Sequence, residues 1–288
     1  MSATTTQFGQ LPALQLRAPD GAEATITLYG AHLVSWKTAP SVQAGGGSAS
    51  GAGGAVGIQA PVAQERLFLS TQSALDGSRA IRGGVPVIFP QFAERGKGMR
   101  HGFARVSTWR VVDSGEQDGA AFAVLALSQA DLAPALASAW PAPFELSLRV
   151  TVQGQSLAMQ LEVRNTGTEA FPFSAALHTY YLVEDVEAVR IDGVQAETLA
   201  ITDKLDQVFD GVQGHVVFDT GADKLGLQQS GFKDAVVWNP GAADAAALSD
   251  MEDEEYRRFV CIEPALLTPQ VLEPGGSWRG EHRVVVSA

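Results

Sequence analysis

Cysteine is almost absent from this sequence, with one residue among 288. A single cysteine excludes an intrachain disulfide framework and any metal site built from several thiolates, and it fits a reducing compartment. Long apolar runs are also missing, because no stretch reaches the roughly 20 apolar residues that a membrane-spanning helix needs. The N-terminus has no basic start followed by an apolar run, so we expect no signal peptide. We therefore predict a cytoplasmic protein with no membrane partner.

Basic residues are scarce as well. Lys and Arg number 20 against 32 Asp and Glu, which gives a formal net charge of −12. Such an acidic chain repels the phosphate backbone, so we expect no nucleic-acid partner. Hydrophobic residues make up 45% of the chain and charged residues 18%. This balance is typical of a folded globular protein and excludes wholesale disorder.

The common cofactor and metal motifs do not occur. The chain has no P-loop, no GxSxG turn around a serine nucleophile and no GxGxxG opening a helix, which removes most nucleotide-using and hydrolase functions. Its histidines have no HxxxH spacing and lie in no carboxylate cluster, so we predict no metal site. There are five: His32, His101, His178, His215 and His282.

Strand periodicity is the main pattern that is present. From Phe144 to Arg164 apolar and polar residues alternate on both sides of Gly154, which predicts a hairpin with one buried face. Shorter strands of the same kind are predicted along most of the chain. Only 129–140 has helical character, and Pro134 lies inside it. Many short strands with few helices predict an all-β fold, a large antiparallel β-sandwich rather than βαβ units.

One segment differs in composition from the rest. From Pro40 to Pro61 the residues are nearly all Gly, Ala and Ser. Such a stretch has little apolar surface to bury against its ordering entropy. We predict a mobile surface loop around 40–57 within a single domain that spans 1–288.

Two side chains are candidates for acid–base chemistry. In strand alternation, His178 shares a face with small and hydroxylated residues such as Ser174, which leaves space for a polar ligand. Glu263 follows an apolar run and precedes Pro264, so we predict that it lies at a strand end. A hydrogen-bonded core histidine and a solvated glutamate explain the same patterns. From the residues alone, both interpretations stay open.

Charge is unevenly distributed. Between Arg79 and Arg105 lie six basic residues and one acid, Glu94. Arginine offers a two-pronged contact to phosphate, so this patch around Arg82 suits a small anion. A solvated basic loop paired with acids elsewhere is an equal alternative. The acidic run Asp250–Glu255 is interpreted as a solvated loop, because it lacks the spaced ligands of a calcium site.

Five sequence blocks form one ordered pattern. They are Leu75–Phe92, His101–Trp109, Leu177–Tyr181, Val236–Pro240 and Val260–Pro264. Together they resemble the hexose-6-phosphate mutarotases, a branch of the aldose 1-epimerase family. The resemblance implies a galactose mutarotase-like supersandwich that interconverts the α and β anomers of a hexose 6-phosphate, without cofactor or metal. Glucose 6-phosphate is the first candidate substrate, and we expect a monomer.

The resemblance also implies roles for individual residues. It places the acid/base histidine at His178 and the catalytic carboxylate at Glu263. At position 100 this chain has Arg, where relatives often have a Gln that contacts the substrate. The substrate contacts are placed at Arg82, Arg100, His101, Arg105 and Asp223.

Mutarotation needs two groups that exchange protons with the sugar. One takes the proton of the C1 hydroxyl while the other protonates the ring oxygen, and the roles reverse when the ring closes. A carboxylate base and an imidazolium acid are expected to suffice. Two alternatives remain: an aldose 1-epimerase of free sugars and a non-catalytic protein that binds sugar phosphates. The arginine patch argues against free sugars, which would leave those cations unpaired.

Overall fold

The computed structural model describes residues 2–40, 62–212 and 214–287. Their strands form three sheets of four, six and nine strands, in which neighbouring strands run antiparallel. The predicted all-β class is confirmed. The segment predicted as a mobile loop lies almost wholly within 41–61, outside the described residues, and the single domain stays a prediction. Among the described residues, no helix is long and apolar enough to cross a membrane.

The strands of the described residues are numbered in chain order. They are β1 (Ala3–Phe8), β2 (Leu11–Arg17), β3 (Glu23–Thr27), β4 (His32–Lys37), β5 (Val87–Ile88), β6 (Arg110–Gln117), β7 (Ala120–Ser128), β8 (Phe144–Gln153), β9 (Ser156–Asn165), β10 (Phe171–Leu177), β11 (Tyr180–Leu182), β12 (Arg190–Asp192), β13 (Leu199–Ala200), β14 (Leu205–Phe209), β15 (His215–Asp219), β16 (Lys224–Ser230), β17 (Asp234–Asn239), β18 (Phe259–Leu272) and β19 (Ser277–Ser287).

Helices are short and few in the described part of the chain. The predicted helix over 129–140 is instead a 3-10 turn followed by a six-residue helix, because Pro134 lacks an N–H and is accommodated at the first helical position. The helices are α1 (Pro134–Ala139) and α2 (Gly241–Ala245), with 3-10 turns at Ala104–Val106, Gln129–Asp131, Val186–Ala188 and Glu255–Arg258.

The nine-stranded sheet has the order β13-β12-β15-β16-β19-β9-β8-β7-β6. Its β8–β9 hairpin is the one that the alternating sequence predicts, with Leu148 paired to Leu161 in the register. Apolar side chains of both strands are buried and their polar neighbours are more exposed. This alternation turns one face of the sheet toward the main core, which stabilises the hairpin through apolar burial.

The six-stranded sheet has the order β14-β17-β18-β10-β5, with β11 also paired to β18. Nearly every residue of β10 and β17 is buried, so this sheet is covered on both faces. One face of β10, including Phe173 and Leu177, packs into the main core. Ala176 lies on the other face in a smaller cluster with Phe92 and Val236. That second face borders the candidate site.

Candidate active site

A cavity of about 500 Å³ lies against the second face of the six-stranded sheet. This volume is ordinary for a pocket that binds a small molecule. Six of the seven predicted site residues line it: Arg82, Arg100, His101, Arg105, His178 and Glu263.

His178 directly follows β10, and its backbone N–H donates to the carbonyl of Pro86 at 3.0 Å. The prediction that Leu177 and His178 point to opposite faces is confirmed, since Leu177 packs in the core and His178 lines the cavity. Glu263 is paired with Val236 of β17 in the interior of β18. The prediction that Glu263 ends a strand is therefore wrong. A residue before proline keeps an extended backbone, and an extended backbone also suits a strand that continues.

The two candidate catalytic groups face each other. His178 Nδ1 lies 3.3 Å from Glu263 Oε1, and the two side chains are 10% and 1% exposed. Nδ1 makes no aligned hydrogen bond, and Glu263 Oε2 has no partner in the described part of the structure. Buried polar atoms without partners are costly. Both side chains line the cavity, and unsatisfied buried polar groups of this kind are typical of functional sites.

Aromatic rings hold His178 in place. The ring of Tyr180 stacks on it with centroids 4.8 Å apart and planes 9° from parallel. Trp238 meets it edge-on at 6.0 Å. These contacts on two sides fix the plane of the imidazole, so its nitrogen atoms stay directed at Glu263 and the cavity.

Burial alters the pKa values of this pair in opposite directions. It lowers the pKa of His178 well below 6.5, and His101, Arg82 and Arg105 lower that pKa further. Burial raises the pKa of Glu263 well above 4.5, and the carboxylate of Asp206 adds to the increase. Burial thus disfavours the charged form of both groups, and charged neighbours add to each shift.

His101 stands at the end of a loop over residues 93–101 with a left-handed backbone, φ 61°. Its Nδ1 accepts a hydrogen bond from the N–H of Ala93 at 3.3 Å. Burial, with the charges of Arg105 and Arg100, lowers the pKa of His101 to about 3. The neutral ring therefore carries its proton on Nε2 and can donate a hydrogen bond to a ligand.

Arg82 is bound by two protein groups. Its Nε and Nη2 donate to Asp250 at 3.2 Å each, and its Nη1 donates to the Tyr180 hydroxyl at 3.0 Å. The sequence interpretation of Asp250 as part of a solvated acidic loop is wrong at this residue, which lines the cavity. The arginine and its partner lie 168 positions apart, so their pairing follows only from the fold.

Two glycines follow Arg82 and fix its position. Gly83 and Gly84 have φ values of 106° and 58°. A Cβ atom at Gly83 would lie 2.5 Å from the Phe68 carbonyl oxygen, and one at Gly84 would lie 2.3 Å from that of Leu33. Only glycine fits here. The close approach joins β4 to the wall of the site.

The other predicted basic contacts differ in how they are held. Arg100 is exposed and pairs with Glu94 at 2.5 Å. Arg105 donates from Nη2 to the carbonyl of Arg100 at 2.9 Å, and its buried Nε has no partner in the described residues. Arg105 thus lines the cavity without a carboxylate partner in the described part of the chain.

Asp223 is not brought to the cavity. It lies in the turn between β15 and β16, where its carboxylate accepts a hydrogen bond from Arg66 at 2.5 Å. A carboxylate already paired with arginine in another part of the fold cannot also reach a ligand here, so its placement as a substrate contact needs correction. Asp206 of β14 supplies an acid to the cavity instead. No motif marks Asp206 in the sequence, because it stands in a short, largely exposed strand.

A possible metal-binding group overlaps the catalytic pair. The ligand atoms of His178, Cys261 and Glu263 all lie within 4.8 Å of one another. Burial raises the pKa of the Cys261 thiol well above its ordinary value. A neutral thiol is a poor ligand compared with a thiolate. The absence of a metal stays a prediction.

Comparison with known proteins identifies the family. Residues 53–210 match the family model described as aldose 1-epimerase. A provisionally named glucose-6-phosphate 1-epimerase of Cenchrus ciliaris is 32% identical, over 96% of this chain and 85% of that protein. A provisionally named counterpart in Salmonella typhimurium is 29% identical, over 85% of this chain and 80% of that protein.

Solved structures agree with this result. A provisionally assigned mutarotase, YeaD, from Salmonella typhimurium is 25% identical and superposes with a TM-score of 0.82, covering 99% of this chain and 94% of that one. A galactose mutarotase-like protein from Clostridium acetobutylicum has the same fold, with a TM-score of 0.71 at 16% identity over 99% and 98% of the two chains. The chain belongs to the aldose 1-epimerase family.

Proposed function

We propose that this protein interconverts the α and β anomers of a hexose 6-phosphate, with glucose 6-phosphate as the first candidate. The contact between His178 Nδ1 and Glu263 Oε1, 3.3 Å apart in the wall of a sugar-sized cavity, carries the proposal. Arginines in the same wall provide charge for a phosphate. The names of the relatives support the same activity and the same class of substrate.

In the proposed reaction the pair shares one exchangeable proton. As the ring opens, one member takes the proton of the C1 hydroxyl and the other gives a proton to the ring oxygen. After the aldehyde rotates about the C1–C2 bond, closure on the other face reverses both transfers. Each positioned acid or base contributes about 10²–10⁴-fold.

The direction of proton transfer depends on the charge in the cavity. Burial favours the neutral forms of both His178 and Glu263, the reverse of the imidazolium acid and carboxylate base that the chemistry of mutarotation leads us to expect. A phosphate beside Arg82 and Arg105 would offset charges that lower the His178 pKa. Binding of the substrate would therefore move the proton toward His178.

The phosphate contact rests mainly on Arg105. Arg82 already binds Asp250 and Tyr180, so a phosphate would have to share its guanidinium with them. Arg105 has a buried Nε without a partner among the described residues. A phosphate bound by the part of the Arg105 side chain that lines the cavity would anchor C6 and leave C1 to the catalytic pair. His101 would donate from Nε2 to a sugar oxygen.

We also propose that the protein is cytoplasmic and monomeric. Sugar phosphates are charged and cross a bilayer poorly, so an enzyme acting on them fits the cytoplasm. We expect a monomer without a nucleic-acid partner, which sedimentation equilibrium would test.

Exchange NMR spectroscopy of glucose 6-phosphate tests the activity. We expect the protein to increase the exchange rate between the two anomeric proton signals far above the rate in buffer. The His178→Ala variant is the matched control and should return the rate to that of buffer. Broadening of the substrate signals without faster exchange would identify a binding protein. Faster exchange of glucose than of glucose 6-phosphate would identify an epimerase of free sugars.

A further inference from the structure

A second cavity, of about 580 Å³, lies beside the 93–101 loop and outside the catalytic pair. We call it the apolar cleft. Arg95 lines both cavities, so the loop forms part of the wall of each. The residues that define the cleft are Met99, Phe103, Leu136, Trp140, Phe173 and Pro269.

The walls of the apolar cleft are incompletely covered. Phe103 and Phe173 form its buried parts, whereas Met99 is 45% exposed. Helix α1 has no buried residue, although Leu136 and Ala139 face the cleft. A concave apolar surface that solvent can still reach is typical of a binding site for a small molecule.

Positive charge lies at the same cleft. Arg95 and Lys97 line it, and neither side chain forms an ion pair within the described ranges, whereas Arg100 of the same loop is paired with Glu94. The stretches outside those ranges contain no Asp or Glu. Two cations therefore remain available to an anionic group on a ligand.

Gln91 links the apolar cleft to the loop. Its Oε1 accepts the N–H of Gly98 at 2.7 Å, and its Nε2 donates to the carbonyl of Ala93 at 3.0 Å. Gly96 has no side chain, and a Cβ there would lie 2.4 Å from that same Oε1. A ligand in the cleft would contact the residue that holds the loop in shape.

We propose that the apolar cleft is a second binding site, for a small molecule with a flat apolar body and one carboxylate, sulfonate or phosphate group. The aromatic walls accept the body, and Arg95 with Lys97 accept the anion. The inference does not depend on the proposed function, because the catalytic pair takes no part in it.

The fluorophore 8-anilinonaphthalene-1-sulfonate, which has this chemistry, tests the site. We expect saturable binding at one molecule per chain, with enhanced and blue-shifted emission. Ala139→Phe places a ring in the cleft and should abolish this binding. Ala135→Phe changes the same helix at an exposed position that does not line the cleft, and it should bind like the wild type. Near-ultraviolet circular dichroism checks that both variants are folded.

Charge reversal provides a second test at an exposed position. Lys97→Glu should weaken binding by about 3- to 30-fold, through loss of a surface attraction and gain of a repulsion. Lys233→Glu, which is exposed elsewhere, should leave binding unchanged. Equal effects of Ala135→Phe and Ala139→Phe, or of the two lysine variants, would overturn the proposal. Loss of binding in Arg82→Ala would also overturn it, because the fluorophore would then occupy the catalytic cavity.

Discussion

The nine-stranded and six-stranded sheets use buried histidine in different ways. His282 of the nine-stranded sheet has both ring nitrogens satisfied, by the Tyr181 hydroxyl at 2.8 Å and the Gln228 carbonyl at 3.2 Å. His178, which follows β10 of the six-stranded sheet, has an unsatisfied Nδ1 directed at Glu263. Burial lowers the pKa of both rings.

This comparison shows that burial and a lowered pKa do not by themselves identify a catalytic histidine. His282 is enclosed by its partners and has no room for a ligand, whereas His178 borders a cavity. A candidate catalytic histidine is recognised by an unsatisfied ring nitrogen on a side chain that lines a cavity.

The largest contrast is expected in catalysis. His178→Ala and Glu263→Gln should each lower kcat for glucose 6-phosphate by about 10²-fold or more, because each removes one half of the proton transfer. His282→Gln keeps a hydrogen-bonding side chain away from the cavity and should retain kcat within about threefold. A coupled assay measures kcat for each variant, after circular dichroism has verified that the variant is folded. A folded His178→Ala variant with more than a tenth of the wild-type kcat would refute the role.

Arginines should show a contrast that depends on the substrate. Arg105→Ala should lower kcat/KM for glucose 6-phosphate by roughly 10–150-fold, the equivalent of losing a charge-assisted bond of about 1.5–3 kcal/mol. Arg82→Ala should lower it less, because Asp250 and Tyr180 already bind that guanidinium. Activity on free glucose should change little. Arg149→Ala, which removes a cation from the Phe122 face in the nine-stranded sheet, is the control and should affect neither substrate. Equal loss on both sugars would exclude a phosphate contact.

Buried histidines should make stability depend on pH. The pKa of His282 is lowered from 6.5 to about 4, so between these values the unfolded chain binds a proton that the folded chain does not. Stability is therefore lost as the pH falls from 6.5 toward 4, by up to about 1.4 kcal/mol per pH unit for this residue. Urea unfolding at pH 7.0 and 5.0 measures the loss. The loss of unfolding free energy between these two pH values should be smaller in His282→Gln. An equal loss in the variant and the wild type would contradict the assignment of this pH dependence to His282.

The smallest effect is expected at Asp206. Its carboxylate helps raise the pKa of Glu263, so Asp206→Asn should lower that pKa. The acid limb of the kcat profile should then move to lower pH. We expect a shift of less than about one pH unit, since an exposed charge in water contributes about 1 kcal/mol or less. A shift to higher pH would show that the limb reports another group.

Regular alternation explains how far the sequence predicts the fold. The β8–β9 hairpin follows from its period of two, and its bounds are nearly those predicted. No apolar alternation indicates strand β1, because its Thr residues lie exposed or half-exposed on a sheet edge. Strand β18 extends nine residues beyond its predicted end at Glu263. Pro264 does not end the strand, because β18 pairs with β17 up to Ala265 and with β10 from there to Leu272.

The site was predictable where local sequence carries the signal. His178 and Glu263 each stand in a recognisable block, and the structure brings them together. Asp250 and Asp206 reach the cavity only through long-range packing, so no local pattern indicates them. The resemblance implies a substrate contact at Asp223, yet the pairing of Asp223 with Arg66 depends on a residue 157 positions away.

The double glycine after Arg82 limits how this sequence can vary. Backbone of Phe68 lies against Gly83 and backbone of Leu33 lies against Gly84. Gly84 also accepts a hydrogen bond from the N–H of Tyr180 at 2.9 Å. In a library of random substitutions selected for activity, positions 83 and 84 should therefore return glycine as consistently as position 178 returns histidine. Neither glycine supplies an atom to the reaction. We therefore expect the positions that tolerate no substitution to include residues that fix the position of Arg82 as well as residues that react with the sugar.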